Sequence, residues 1–236
     1  VIPPMFLHAY SFSEGLAAAR IDVNNPPDIK KVETNLLKQQ ESDKRQQEKQ
    51  TKELSQHAAE CVQSWRDGAA WAETASHASE WLAMLASLKE PSDNSDKLLA
   101  YEAAIYSICY PAKLAEAEKS ALRAIAINKS NALAHGVLGH CLSLKRQPQA
   151  IVEFGQALYL EPQNLEWYAN RGLCYEDSKN NTDRTDSNDK AIADYSKMIS
   201  LAPQSAWAYG SRAHAYLTVD KANEAIKDCN KALSIE

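Results

Sequence analysis

Glycine is scarce in this chain, with 7 among 236 residues. That shortage argues against a fold of tight turns and short strands, and no glycine-rich loop is present to cradle a phosphate. No G-x-S-x-G elbow occurs to hold a nucleophilic serine. No apolar run approaches the ~20 residues that a membrane-spanning helix needs. Lysine and arginine form no block, and the net charge is −5, which argues against a nucleic-acid surface. The 5 cysteines, Cys61, Cys109, Cys141, Cys174 and Cys229, show no C-x2-C spacing, so no zinc site is read from them. His57 and Cys61 stand four apart on a predicted helix, yet a zinc site would need two further ligands. Asp183, Asp186 and Asp189 lack the glycine and closing glutamate of a calcium loop. With no nucleophile, base or phosphate cradle at a recognisable spacing, the sequence offers no ground for an enzyme, a metal or a cofactor.

What the chain does have is alanine at helical spacing. One pattern recurs around Ala117, Ala150, Ala191 and Ala225, with gaps of 33, 41 and 34 residues. A period near 34 residues marks a two-helix unit. Such a unit cannot bury its apolar face alone, so copies stack in a row. The cleanest copy runs from Ala206 to Tyr216, turns, and continues from Glu224 to Leu233. Its apolar and small residues fall at three- and four-residue steps. Ala213 and Ala225 are small where two helices must approach closely, and Tyr209 and Tyr216 share a face.

This pattern resembles the tetratricopeptide repeat family, whose signature is W-x2-L-G-x2-Y followed by A-x3-F, A and P. The third copy fits through Tyr168, Arg171, Gly172, Tyr175, Ala191, Tyr195 and Pro203. The second fits through Leu138, Gly139, Ala150, Phe154, Ala157 and Pro162, with His135 where an aromatic is usual. The first keeps Tyr101, Ala117, Ala121 and Ala124 but has Lys129 where proline is expected. The resemblance implies an all-α fold, a right-handed helix-turn-helix solenoid preceded by an N-terminal helical region. Repeats are expected at about 97–130, 131–164, 165–204 and 205–236. The polar stretch 178–189 in the third copy reads as an exposed loop. Neither the closing proline nor a polar capping helix follows the last copy, so we expect further repeats or a cap beyond Glu236.

Before the array, residues 1–27 form an N-terminal segment carrying Phe6, Tyr10 and Phe12, and 28–96 form a helical region. From Ile29 to Arg66 there is no glycine or proline, and Lys38 to Glu53 holds no apolar residue. Glu41–Arg45 and Glu48–Lys52 stand at i,i+4 spacing. A helix polar all round is a solvated arm; a coiled coil is the alternative, although its heptad fails through the middle. Leu54, Ala58, Cys61 and Trp65 make its far end apolar. Trp71, Ala78, Trp81 and Leu85 then predict an amphipathic helix, ended by Pro91, that packs on the first repeat.

The resemblance also implies where a partner binds. The first helix of each pair lines the concave face. On this chain the facing positions are Leu99, Glu102 and Tyr106; Leu133, Gly136, His140 and Leu144; Glu166, Ala169, Leu173 and Asp177; and Trp207, Gly210, His214 and Leu217. Asn170 matches one position of the carboxylate clamp found in the co-chaperone branch of the family. The other clamp positions are Gly136, His140, Trp207 and Ser211, none a fixed cation, so no such clamp is expected. The candidate partner-binding groove is Tyr106, His140, Glu166, Asn170, Leu173, Trp207 and His214. Its carboxylates and its lack of lysine or arginine suit an apolar or basic peptide, and charging of His140 and His214 in mild acid would weaken that binding. The function expected is a scaffold or adaptor for a partner protein, with no nucleic acid and no membrane span. A regulatory or targeting domain of a larger enzyme or secretion or assembly machine is the rival, and a self-assembling structural protein the third reading. The odd, packing-type cysteines favour a reducing compartment, hence the cytoplasm.

Overall fold

Small residues at close helix approaches set this architecture. The computed structural model describes residues 29–64, 74–88, 95–109, 112–177 and 184–235. Among the described residues no strand occurs. The helices are α1 (Ile29–Ser64), α2 (Ala78–Leu88), α3 (Asp96–Ile108), α4 (Leu114–Ile127), α5 (Ala132–Leu144), α6 (Gln149–Leu160), α7 (Leu165–Glu176), α8 (Arg184–Leu201), α9 (Ala206–Leu217) and α10 (Ala222–Leu233). The chain divides into two compact units, Val1–Glu48 and Lys49–Glu236. Residues 1–27, Trp65, Trp71, Pro91 and 178–183 lie outside the described residues.

In the first unit, residues 34–48 of α1 are exposed, Leu36 and Leu37 included. Gln39 Nε2 donates to Asp43 Oδ1 at 2.9 Å, one turn away. Side chains on a helix polar all round can lie in solvent in this way.

In the second unit, consecutive helices pack as pairs: α3 with α4, α5 with α6, α7 with α8, and α9 with α10. Each pair also packs on the next through α4–α5, α6–α7 and α8–α9, and α2 packs on α3. The first helices begin on side-chain caps. Ser95, Asn131, Asn164 and Ser205 accept from the backbone N–H of Leu98, Ala134, Glu166 and Ala208 respectively, satisfying donors that a helix start leaves open. Pro162 and Pro203 follow the ends of α6 and α8, which they cannot extend. Inside two pairs the turn uses a left-handed residue, Arg146 at φ 54° and Asp220 at φ 59°. Beyond each, an N–H reaches back five residues, Gln147 to Leu142 O at 2.9 Å and Lys221 to Tyr216 O at 3.0 Å. That bond closes the first helix and reverses the chain.

The repeat alanines sit where the pair closes: Ala117, Ala150, Ala191 and Ala225 are at most 2% exposed. Three residues after each stands a polar side chain bonded to the first helix. Ser120 Oγ donates to Glu102 Oε2 at 2.8 Å. Glu153 Oε2 meets His135 Nδ1 at 2.7 Å. Asp194 takes two bonds from Arg171, at 2.9 and 2.7 Å, and Asp228 takes two from Arg212, at 2.7 and 2.8 Å. In the second and third pairs, a large residue comes four residues after the alanine, and glycine makes room for it. A Cβ on Gly139 would lie 3.1 Å from the Phe154 ring, and one on Gly172 would lie 2.6 Å from the Tyr195 ring.

Two expectations change. The stretch 184–189 is not loop: it forms the opening turns of α8, with Ser187 and Asn188 buried. The described end of that insertion, 184–189, is therefore helical. Cys229, expected to pack, is exposed, whereas Cys61 and Cys141 are buried and Cys109 and Cys174 partly so. The apolar end of α1 behaves as predicted: Leu54, Ala58, Cys61 and Val62 join a core with Ala78, Trp81 and Leu85 of α2. Among the described residues no helix is long and apolar enough to cross a membrane.

Two substitutions test this packing. Gly172→Ala should lose about 1–3 kcal/mol despite its better helix propensity, because the buried Tyr195 ring cannot retreat. Arg146→Gly should gain about 1 kcal/mol by relieving the left-handed backbone. Both are read from urea midpoints at constant slope.

Candidate peptide-binding groove

The first helices α3, α5, α7 and α9 present the predicted groove positions, and the structure sorts them into three groups. Leu99, Gly136 and Ala169 are buried. Leu99 packs with Ala124 and Ala134 between consecutive pairs. Ala169 joins the core of α8 and α9 with Tyr195 and Ala208. A Cβ on Gly136 would strike the Trp167 ring, so this position is a seat for the next helix and not an open groove site.

A second group is half-buried: Glu102, Tyr106, Leu133, His140, Glu166, Asn170 and Trp207. Tyr106 packs on the core, with Lys113 Nζ 5.9 Å from its ring centre. Burial pushes the His140 imidazole down to about 3, so it stays neutral in mild acid, and the expectation that it charges there is corrected. Asn170 Nδ2 donates to the carbonyl of Glu166 at 2.7 Å, a bond within its own helix. Trp207 packs against the Ala191–Tyr195 core. Its indole supports the fold as well as facing outward.

The third group is open: Leu144, Leu173, Asp177, Gly210, His214 and Leu217. Leu173 and Leu217 are 55% and 57% exposed. Beneath His214 lies Glu176. His214 Nδ1 stands 3.4 Å from Glu176 Oε1, the imidazole largely exposed and the carboxylate nearly enclosed. Burial raises the Glu176 carboxyl, opposed by His214 and by a hydrogen bond from Tyr195. So α7 and α9 offer apolar side chains around a buried acid, with Asp177 at the negative end of α7.

The α3–α5–α7 side of the array differs. The starts of these helices and Ser55, Ala59 and Val62 of α1 enclose a cavity of about 540 Å³. Tyr101, Leu133, Glu166 and Trp167 line it. The cavity's acids serve the helices around them. Asn128 and Asn131 both donate to Asp96 Oδ2, at 2.8 and 2.9 Å. Glu161 Oε2 accepts from Asn164 and from the Trp167 indole at 3.0 and 3.2 Å. Burial works to raise Asp96, and the two amides overcome it, holding the carboxyl below its ordinary value. Sequence reasoning missed Trp167 and the α1 residues here. The neighbouring aromatics of Trp167-Tyr168 were a signal that one of them points away from its own pair.

The fold is an all-α helical solenoid of the tetratricopeptide type. It is similar to solved structures of MamA. One crystal structure of MamA is 24% identical, covers 69% of this chain and 91% of that one, and superposes with a TM-score of 0.57. A second is 22% identical, covers 78% and 91%, and has a TM-score of 0.56. MamA 41-end from Desulfovibrio magneticus RS-1 is 15% identical, covers 79% and 94%, and has a TM-score of 0.51. At these identities the likeness establishes the fold alone. No family model and no curated protein matches the sequence.

The division between open and supporting positions is testable. Leu173→Ala should change stability by less than about 0.5 kcal/mol, as surface substitutions do. Trp207→Ala should cost about 1–3 kcal/mol, because it removes part of a core. Thermal melts followed by circular dichroism separate the two.

Proposed function

We propose that this chain is a protein-interaction scaffold of four tandem repeats, at about 97–130, 131–164, 165–204 and 205–236. It holds an extended or helical partner segment on the inner face of its first helices. The observation that carries this reading is the pairing of exposed Leu173 and Leu217 with the buried acid Glu176. Large exposed apolar side chains around a buried charge are the makings of an interaction hot spot. The partner segment is apolar with a basic residue. Its aliphatic side chains cover Leu173 and Leu217, and its cation meets Glu176 and Asp177 in place of His214. None of the predicted groove positions is a lysine or arginine, so an acidic peptide would find no counter-charge there. The free thiols held largely in the interior fit a reducing compartment such as the cytoplasm.

Selection from a displayed peptide library tests the reading. Retained peptides should be enriched in leucine-like residues and in lysine or arginine. The Leu173→Glu, Leu217→Glu double variant should weaken them at least tenfold, while Leu122→Glu, on the exposed side of α4, should leave them unchanged. Equal retention by the double variant would move binding off this face.

A further inference from the structure

The cavity at the helix starts is space that the packing leaves open. Protein interiors keep few voids larger than a water molecule, yet about 540 Å³ remains between α1 and the starts of α3, α5 and α7. Small side chains keep it open. On α1, Ser55 and Ala59 line it one turn apart, while Leu54, Ala58 and Cys61 are buried in the core. Much of the remaining wall is apolar or aromatic, from Val62, Ala100, Leu133 and Tyr101. Small-molecule sites span ~300–1,000 Å³, and the cavity falls within that range.

The charge of the lining selects the ligand. Asp96, Glu161 and Glu166 stand there against one cation, Lys97. The helix ends around the cavity nearly cancel. The starts of α3, α5 and α7 bring about +0.5 each, and the ends of α4 at Asn128 and α6 at Glu161 about −0.5 each. The carboxylates therefore decide the sign. Neither Asp96 nor Glu161 has an ion-pair partner among the described residues. Although burial works to raise it, the bonds from Asn128 and Asn131 hold the Asp96 carboxyl below its ordinary value, so it keeps its charge in mild acid. Glu161 Oε2 takes Asn164 and the Trp167 indole, while its Oε1 accepts from no described residue. We propose that the cavity binds a small organic cation, an ammonium on an apolar or aromatic body. The ammonium lies among the carboxylates, with Glu161 Oε1 as an acceptor, and the body lies against Val62, Leu133 and Tyr101. The Tyr101 ring adds to the attraction, because an aromatic face draws a cation. An anion would meet like charge, and a neutral ligand would cover Glu161 without answering its charge. The site is distinct from the leucine face: Glu166 and Glu176 stand at opposite ends of α7, roughly 15 Å apart along its axis.

The test follows the indole N–H resonance of Trp167, which donates to Glu161, in the 236-residue chain; Trp167→Phe assigns it. Tyramine and hexylamine are titrated into the millimolar range, with their alcohols tyrosol and hexanol as neutral counterparts. Each amine should move the resonance saturably and bind at least tenfold more tightly than its alcohol. Glu161→Gln keeps an acceptor for the indole and should weaken both amines at least fivefold. Ala59→Trp fills the mouth from an exposed position on α1, so the protein should melt no lower, yet binding should be lost. Binding should persist in Leu173→Ala, which separates this site from the leucine face. No saturable movement with either amine, equal affinity for amine and alcohol, or binding that survives Ala59→Trp would overturn the proposal. So would a capped tripeptide with a central lysine that binds tenfold more tightly than both amines, which would give the cavity to a side chain of a partner protein.

Discussion

Everything in the second unit rests on how closely the two helices of a pair approach, and one residue position governs that approach. An alanine lets the backbones come together, and the side chain three residues on ties the second helix to the first. The tie changes chemistry along the array. It is a serine hydroxyl on Glu102 in the first pair and a histidine on Glu153 in the second, then a two-pronged arginine–aspartate pair in the third and fourth. Two parallel bonds fix orientation as well as distance. Tyr168 lies 5.9 Å from the Arg171 guanidinium, and Tyr209 and Tyr216 lie 6.0 and 5.7 Å from that of Arg212. The arginines are thus held by aromatic faces and are withdrawn from the groove. This explains why the inner face has no fixed cation even though the first helices carry arginine.

That arrangement shapes the working surfaces. Because each pair is locked from within, its inner-face side chains are free to differ from one repeat to the next. On α7 and α9 the freedom leaves leucines in the open. Toward the start of the array the same space is occupied: Trp167 fills the seat at Gly136, and the end of α1 closes over the helix starts. The apolar end of α1 gains burial there that its polar middle cannot obtain.

The fold was legible in the sequence because its signal is redundant. Ala150, Phe154 and Pro162 in one copy and Ala191, Tyr195 and Pro203 in the next say the same thing, so the loss of proline at Lys129 costs the reading nothing. The site was less legible because facing inward and being exposed are different properties. Gly136 and Ala169 are buried and His140 half-buried, and such cover depends on contacts between repeats that a period within one repeat does not encode. The turns of α8 at 184–189 were misread for a related reason. Polar residues score as loop, but Ser187 and Asn188 are buried within a helix despite their weak helix propensity. Cys229 failed in the opposite sense: its position is buried in the other three copies, as Ala121, Phe154 and Tyr195, and exposed in the fourth.

The array's carboxyls also answer pH unequally. Asp96 lies below its ordinary value, so the stability it contributes is present above the unfolded value and is lost as pH falls through the folded one. Glu176 is raised by burial, so its contribution is present below the unfolded value and lost as pH rises through the folded one. Asp96 joins the first and second pairs through Asn128 and Asn131, while Glu176 joins the third and fourth through His214. Acid therefore loosens the junction near the start of the array and favours the one that carries the leucine face. In a repeat protein, where stability is set junction by junction, these two contacts need not answer acid in the same direction.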